Sequence, residues 1–201
     1  RTVPEALIPW PMAGDEPKGL TPSPFTSGRY CFTKRMGPIG VICLDTGEDK
    51  PDAREVWGGM AAYEPYREAQ LEWLLKALQQ PEIKSAPYLI TFCHIPLHGL
   101  PGHNDGMGTE GYAYYSGFGQ KLWLKPLVDA GCQMVISGHM PAQRLDQPET
   151  GFPMHQVVGG GPKENNATLI QIKADAKSLE LTIEDLKQKQ LNSLSLKPRN
   201  V

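Results

Sequence analysis

The sequence predicts an α/β fold, a mostly parallel sheet flanked by helices with antiparallel pieces at an edge. Three observations carry this expectation. The apolar runs "VICLD", "YLITFC" and "CQMVIS" are too continuous for half-exposed strands and read as strands buried on both faces. Segments with helical spacing separate them, giving the order strand, helix, strand, helix, strand. Towards the end, "ATLIQIKA" and "SLELTIED" alternate polar and apolar residues around "DAK", as half-exposed antiparallel strands do.

Taken in order, residues 1–28 are rich in proline and glycine and read as a loop-like lead-in. "RYCFTKR" and "PIGVICLDT" form a strand pair joined by the turn "MGP", and the segment 46–64 is a polar, glycine-rich loop. Over "EPYREAQLEWLLKALQQP" the residues Leu71, Leu74, Leu75 and Leu78 recur at three- and four-residue steps, which predicts an amphipathic helix ending before Pro81. "APYLITFCHIP" is the second buried strand. The stretch "LHGLPGHNDGMGTEGYAYYSGFG" is expected to be a long loop, and loops of that length are usually functional or mobile. "QKLWLKPLVDAG" reads as a shorter helix, with Pro126 tolerable near its first turn and Gly131 as its stop. "CQMVIS" is the third buried strand, 141–151 a loop, and residues 188–201 a weakly ordered tail. One domain over 1–201 is expected from this length.

Composition excludes several classes of function. Apolar residues at 40% argue against general disorder. Lys plus Arg at 20 against Asp plus Glu at 22 gives no electrostatic case for nucleic acid or an anionic membrane, so an anionic substrate would need a local positive centre such as a metal. No window is apolar enough to span a bilayer, which predicts a soluble chain. The opening residues show no signal-peptide core but also no initiator Met, so localisation is unassigned and export stays open. Cys31, Cys43, Cys93 and Cys132 lack C-x-x-C spacing; they read as buried thiols, with a Cys31–Cys43 bridge open if the chain is exported.

Asp45, His94 and His139 each end an apolar strand and begin a loop, and ligands gather at the carboxyl ends of parallel strands. Two imidazoles delivered from separate rigid strands could hold a cation, which makes His94 and His139 candidate metal ligands; the alternative is that each is simply hydrogen-bonded at its strand end. His98 is a substrate-contact candidate or a capping residue. His103 and Asp105 in "GHNDG" are ordinary turn chemistry, His155 reads as structural, and Asp45 as a residue that fixes amides in its own turn. "VVGGGP" lacks the Gly-Lys-Ser/Thr ending of a phosphate loop and reads as a tight turn.

The stretches "ICLDT", "QLEWLLKAL", "YLITFCHIPLH", "LWLKPLVDAGCQMVISGHM" and "VVGGGP", in that order, resemble the C-terminal part of the calcineurin-like metallophosphoesterases, the superfamily that includes purple acid phosphatases. The resemblance implies part of a four-layer α/β/β/α sandwich with mixed sheets. It also implies metal-dependent hydrolysis of small phosphoesters, of the phosphatase or phosphodiesterase class, at a site with two divalent metal ions; the sequence does not choose among Zn, Mn and Fe. By this resemblance His94 and His139 bind the same metal. Two departures stand out. Pro141 occupies the place of the second His in the family's Gly-His-x-His turn, and the family's early carboxylate and Asn-His motifs are missing. The expectation is a chain inactive by itself, needing an N-terminal half of the domain or a covering partner chain. Two alternatives remain: a non-catalytic binding module of the same fold, and an unrelated hydrolase with one zinc held by His94, His98 and His139.

Overall fold

The computed structural model describes residues 31–200 apart from 50, 54, 56, 57, 100–111 and 150. The lead-in expected over 1–28, together with His103 and Asp105, lies outside the described residues.

Strand β1 (Phe32–Met36) turns at Gly37, which adopts φ +56°, into β2 (Ile39–Cys43). Helix α1 (Tyr63–Ala77) and the single turn α2 (Pro81–Lys84) lead to β3 (Tyr88–Phe92), and α3 (Tyr112–Asp129) leads to β4 (Met134–Ser137). A short β5 (Arg144–Asp146) and β6 (His155–Val158) complete a six-stranded sheet of order β1-β2-β3-β4-β6-β5. Its four central strands are parallel, and β1 and β5 are antiparallel edges. Strands β7 (Thr168–Ala174), β8 (Leu179–Asp185) and β9 (Gln190–Leu196) form a separate antiparallel sheet.

Because side chains alternate across a sheet, the buried central strands feed two cores. Ile42, Leu89 and Val135 face α1 and α3, where they meet Trp73, Leu74, Trp123 and Leu127. From the opposite face Tyr88, Ile90, Met134, Ile136 and Val157 pack on Leu179, Leu181, Ile183 and Leu196 of the second sheet. The result is a mixed α/β architecture of three layers in the order helices, mixed sheet and antiparallel sheet. The same alternation settles the cysteines. Phe32 pairs with Cys43, so Cys31 points to the face opposite Cys43, and all four thiols are free. Burial pushes the Cys31 and Cys43 thiols up to about 12, the state of unreactive small hydrophobes.

Three sequence expectations are corrected. Helix α3 begins at Tyr112, within the stretch read as loop, and Pro126 lies near its last turns rather than its first. One of the glycines that disguise this helix has a packing role: a Cβ on Gly119 would sit 2.9 Å from Leu97 Cδ2. The tail is not weakly ordered; β9 pairs along β8 with a bulge at Ile183/Glu184 that shifts its register. Beyond it, the Arg199 guanidinium fastens the chain end beneath two helices. It donates to the carbonyls of Ala86 (2.6 Å), Ile83 (2.6 Å), Lys84 (2.9 Å) and Ala130, and the Arg199 N–H donates to Pro87 O (2.8 Å). A cation at these helix C-terminal carbonyls satisfies acceptors that have no intrahelical donor. Arg199→Met, which keeps the stem and removes the donors, is expected to lower unfolding stability by about 2–3 kcal/mol in a denaturant titration.

Candidate metal centre

The site lies at the carboxyl ends of β2, β3 and β4, where each parallel strand releases its chain into a loop. After β2, Asp45 secures its own turn. Its Oδ1 accepts the Gly47 N–H (2.8 Å) and its Oδ2 the Tyr66 hydroxyl (3.0 Å), while its backbone exchanges hydrogen bonds with the Gln70 amide (2.9 and 2.7 Å). The buried Arg67 extends this shelf by donating from Nε to Thr46 O and from Nη2 to Glu48 O, both at 2.6 Å. Helix α1 therefore fixes the loop that ends at Asp49.

After β3, the loop carrying His94 is tied at three amides. Ile95 N–H donates to Thr46 Oγ1 (3.1 Å), and Leu97 and His98 N–H both donate to Gln156 Oε1 (3.1 and 3.4 Å). After β4, Gly138 N–H donates to His94 O (3.0 Å), so the two histidine loops are joined through backbone. His139 then adopts φ +65°, and Met140 N–H closes back on Gly138 O at 2.7 Å. A three-residue turn centred on a left-handed non-glycine residue is a strained conformation, and such residues concentrate at functional sites.

This geometry brings the two candidate ligands together. His139 Nδ1 lies 3.2 Å from His94 Nε2, with the rings edge to face at 83°. Two imidazole nitrogens about 2.0–2.1 Å from one zinc at the tetrahedral angle stand about 3.3 Å apart, so the observed separation fits a shared cation. The other ring nitrogen of His139, Nε2, faces Asp49 Oδ2 at 3.6 Å, longer than a hydrogen bond but close enough for the carboxylate to attract an N–H at that position. Among the described residues no group of three or more His, Cys, Asp or Glu side chains is placed to hold a metal ion. The fit is therefore to half a coordination sphere.

The other described histidines, His98 and His155, have partners of their own. His98 Nε2 faces Glu149 Oε1 at 3.2 Å, its ring stacks on Phe152 with centroids 4.8 Å apart, and its carbonyl accepts from Arg144 Nη2 (2.7 Å). These contacts make it a latch between two loops, at a distance from the imidazole pair that the expected substrate contact would have to bridge. The zinc site of His94, His98 and His139 is not formed among the described residues. His155 is half-buried in β6, and burial lowers its pKa below the usual 6.5 while a backbone contact to Asp146 opposes the shift. A depressed folded pKa means that the unfolded chain binds a proton first as pH falls below about 6.5. Stability is expected to decline as pH drops through that window, and His155→Gln to flatten the decline in urea titrations at pH 7.5 and 5.5.

The turn read from "VVGGGP" supports the His139 loop from the far side. A Cβ on Gly160 would stand 1.6 Å from Asn166 O, so only glycine lets these backbones cross. Asn166 in turn donates from Nδ2 to Pro141 O (2.8 Å). Asp49, Arg67, Gln70 and Asn166 escaped the sequence reading. Arg67 and Gln70 lie on the buried stripe of α1, and a polar residue on such a stripe is the one sequence sign that could have found them.

A mixed sheet backed by helices and packed on an antiparallel sheet is an architecture that the chain shares with solved structures of metallophosphoesterase-like fold. Among solved structures the chain is similar to purple acid phosphatase PPD1 from yellow lupin (Lupinus luteus) seeds. That likeness has a TM-score of 0.55 and 16% identity, covering 86% of this chain and 34% of the other. It is also similar to GAP50, the anchor in the inner membrane complex of Plasmodium, with a TM-score of 0.50 and 16% identity over 81% of this chain and 50% of that one. At such identities the likeness is one of fold. The chain spans about a third of the first neighbour and half of the second. No known family and no curated protein matches it, and no helix among the described residues is long and apolar enough to cross a membrane.

Proposed function

We propose that this chain supplies the His94 and His139 portion of a divalent-metal centre that hydrolyses small phosphoesters. The observation that carries the reading is the 3.2 Å approach of His139 Nδ1 to His94 Nε2 at the carboxyl ends of parallel strands. A cation there would polarise phosphoryl oxygens and lower the pKa of bound water, which a chain of net charge −2 has few other means to do for a dianion. In this reading the two imidazoles hold the cation, and the tied loops around them keep their rings in register. Zinc normally takes three or four protein ligands, so the remaining donors come from outside the described residues, either another part of the same protein or a covering partner. The second family metal has no counterpart in this pair.

The test is 31P NMR of inorganic phosphate with the chain loaded with Mn2+. Broadening beyond that of free Mn2+, lost in His94→Ala, supports a phosphate site on the metal; no excess broadening counts against it. A second reading, a binding module without turnover, is favoured by Pro141 and by the absence of a third ligand among the described residues. Phosphate broadening without hydrolysis of p-nitrophenyl phosphate, even in the presence of the rest of the protein, would select it.

A further inference from the structure

We propose that Asp49 is the positioning residue of this pair, turning His139 so that its Nδ1 lone pair faces the point shared with His94. The inference rests on the metal-centre reading but concerns an atom that reading does not use. An imidazole can bind a metal through one nitrogen only if that nitrogen is unprotonated, and the group facing the other nitrogen decides which one carries the hydrogen. In His139 the two nitrogens have different neighbours: Nδ1 faces His94 Nε2 at 3.2 Å, and Nε2 faces the Asp49 carboxylate at 3.6 Å. A carboxylate favours hydrogen on Nε2 and so leaves Nδ1 as the acceptor. His94 Nε2–H then donates to His139 Nδ1 when no metal is bound; on metal binding His94 gives up that hydrogen and takes the neutral Nδ1–H tautomer through solvent exchange, which frees both facing nitrogens for the cation.

Three further observations show that Asp49 is placed rather than fortuitously near. Its side chain is only 11% exposed, and that of His139 18%. The backbone of the segment before Asp49 is held by Arg67 through the carbonyls of Thr46 and Glu48, so the loop that presents the carboxylate is fixed independently of the His139 contact. The strained turn at His139 places the ring between His94 and Asp49 on two separate loops. Both loops are tied to each other, since Thr46 Oγ1 accepts the Ile95 N–H.

The experiment compares wild type with Asp49→Ala and Asp49→Asn, using Zn2+ competition against a chromophoric chelator and long-range 1H–15N NMR of the histidine rings in metal-free protein near pH 8. Because Arg67 anchors the loop through backbone oxygens, Asp49→Ala is expected to fold, and thermal unfolding checks it. Zinc affinity should fall roughly 10–100-fold in Asp49→Ala, with partial recovery in Asp49→Asn, which keeps an oxygen acceptor. The His139 nitrogens should move from the Nε2–H pattern towards a mixture of tautomers. Unchanged affinity and unchanged nitrogen shifts in Asp49→Ala overturn the proposal. Zinc bound by wild type with that null result leaves the metal centre standing without Asp49. A tautomer change in a protein that binds no zinc supports Asp49 as the positioning group and defeats the metal reading instead.

Discussion

Replacing either His94 or His139 with alanine is expected to remove zinc binding from the chain, a loss of at least 100-fold in affinity. In the proposed centre His94 and His139 are the two ligands that the described residues would supply, so each would carry about half of that coordination. Removing a ligand should therefore exceed the roughly 10–100-fold cost of removing an outer partner. His139→Gly separates the functional effect from a folding defect. Glycine takes φ +65° without a Cβ penalty, so this variant should lose the metal while gaining about 1 kcal/mol of stability from relieved strain. Calorimetric zinc titration alongside thermal unfolding reads both effects. Equal zinc content in wild type and both alanine variants would contradict the ligand assignment.

Among the described glycines, Gly160→Ala is expected to be the most damaging added methyl. Its Cβ would stand 1.6 Å from Asn166 O and 2.8 Å from Asn166 C, a backbone collision that no rotamer relieves. The cost should reach about 3 kcal/mol or more, at the upper end of overpacking effects. Because Asn166 also holds Pro141 O, the shift should travel to the His139 turn and weaken zinc binding as well. Gly117→Ala is the control. It lies in α3 with nothing within 4 Å of the added carbon, so it should raise stability by about 0.5–1 kcal/mol. Urea unfolding of the two variants gives the comparison, and similar stabilities for both would refute the crossing geometry.

The parallel core was legible in the sequence because β2, β3 and β4 are buried on both faces, and unbroken apolar runs such as Tyr88–Phe92 leave a strong local pattern. The nearness of His94 and His139 was legible for the same reason, since each stands two residues past the end of such a strand. The first half of α3 was not, because Gly117 and Gly119 signal a loop locally, whereas the close packing of Gly119 on Leu97 is a tertiary fact. Strand β9 was hidden by its composition: Asn and Ser alternate with Leu in "QLNSLSL", and the bulge in its pairing with β8 shifts which residues face inward. Asp49 could not be found at all from "TGEDK". Its meaning comes from Arg67, 18 positions later in the chain, which fixes the loop before it through Glu48 O. The left-handed turn at His139 was equally invisible, since Gly138 beside it is the residue that a sequence would assign to that conformation.

The claim that His94 and His139 share one cation is tested most directly by zinc K-edge X-ray absorption on the zinc-loaded chain. The account predicts two imidazole nitrogens at about 2.0–2.1 Å, with oxygen donors completing the shell, and loss of the imidazole scattering in His94→Ala. A spectrum without imidazole scattering, or one that His94→Ala leaves unchanged, would contradict it.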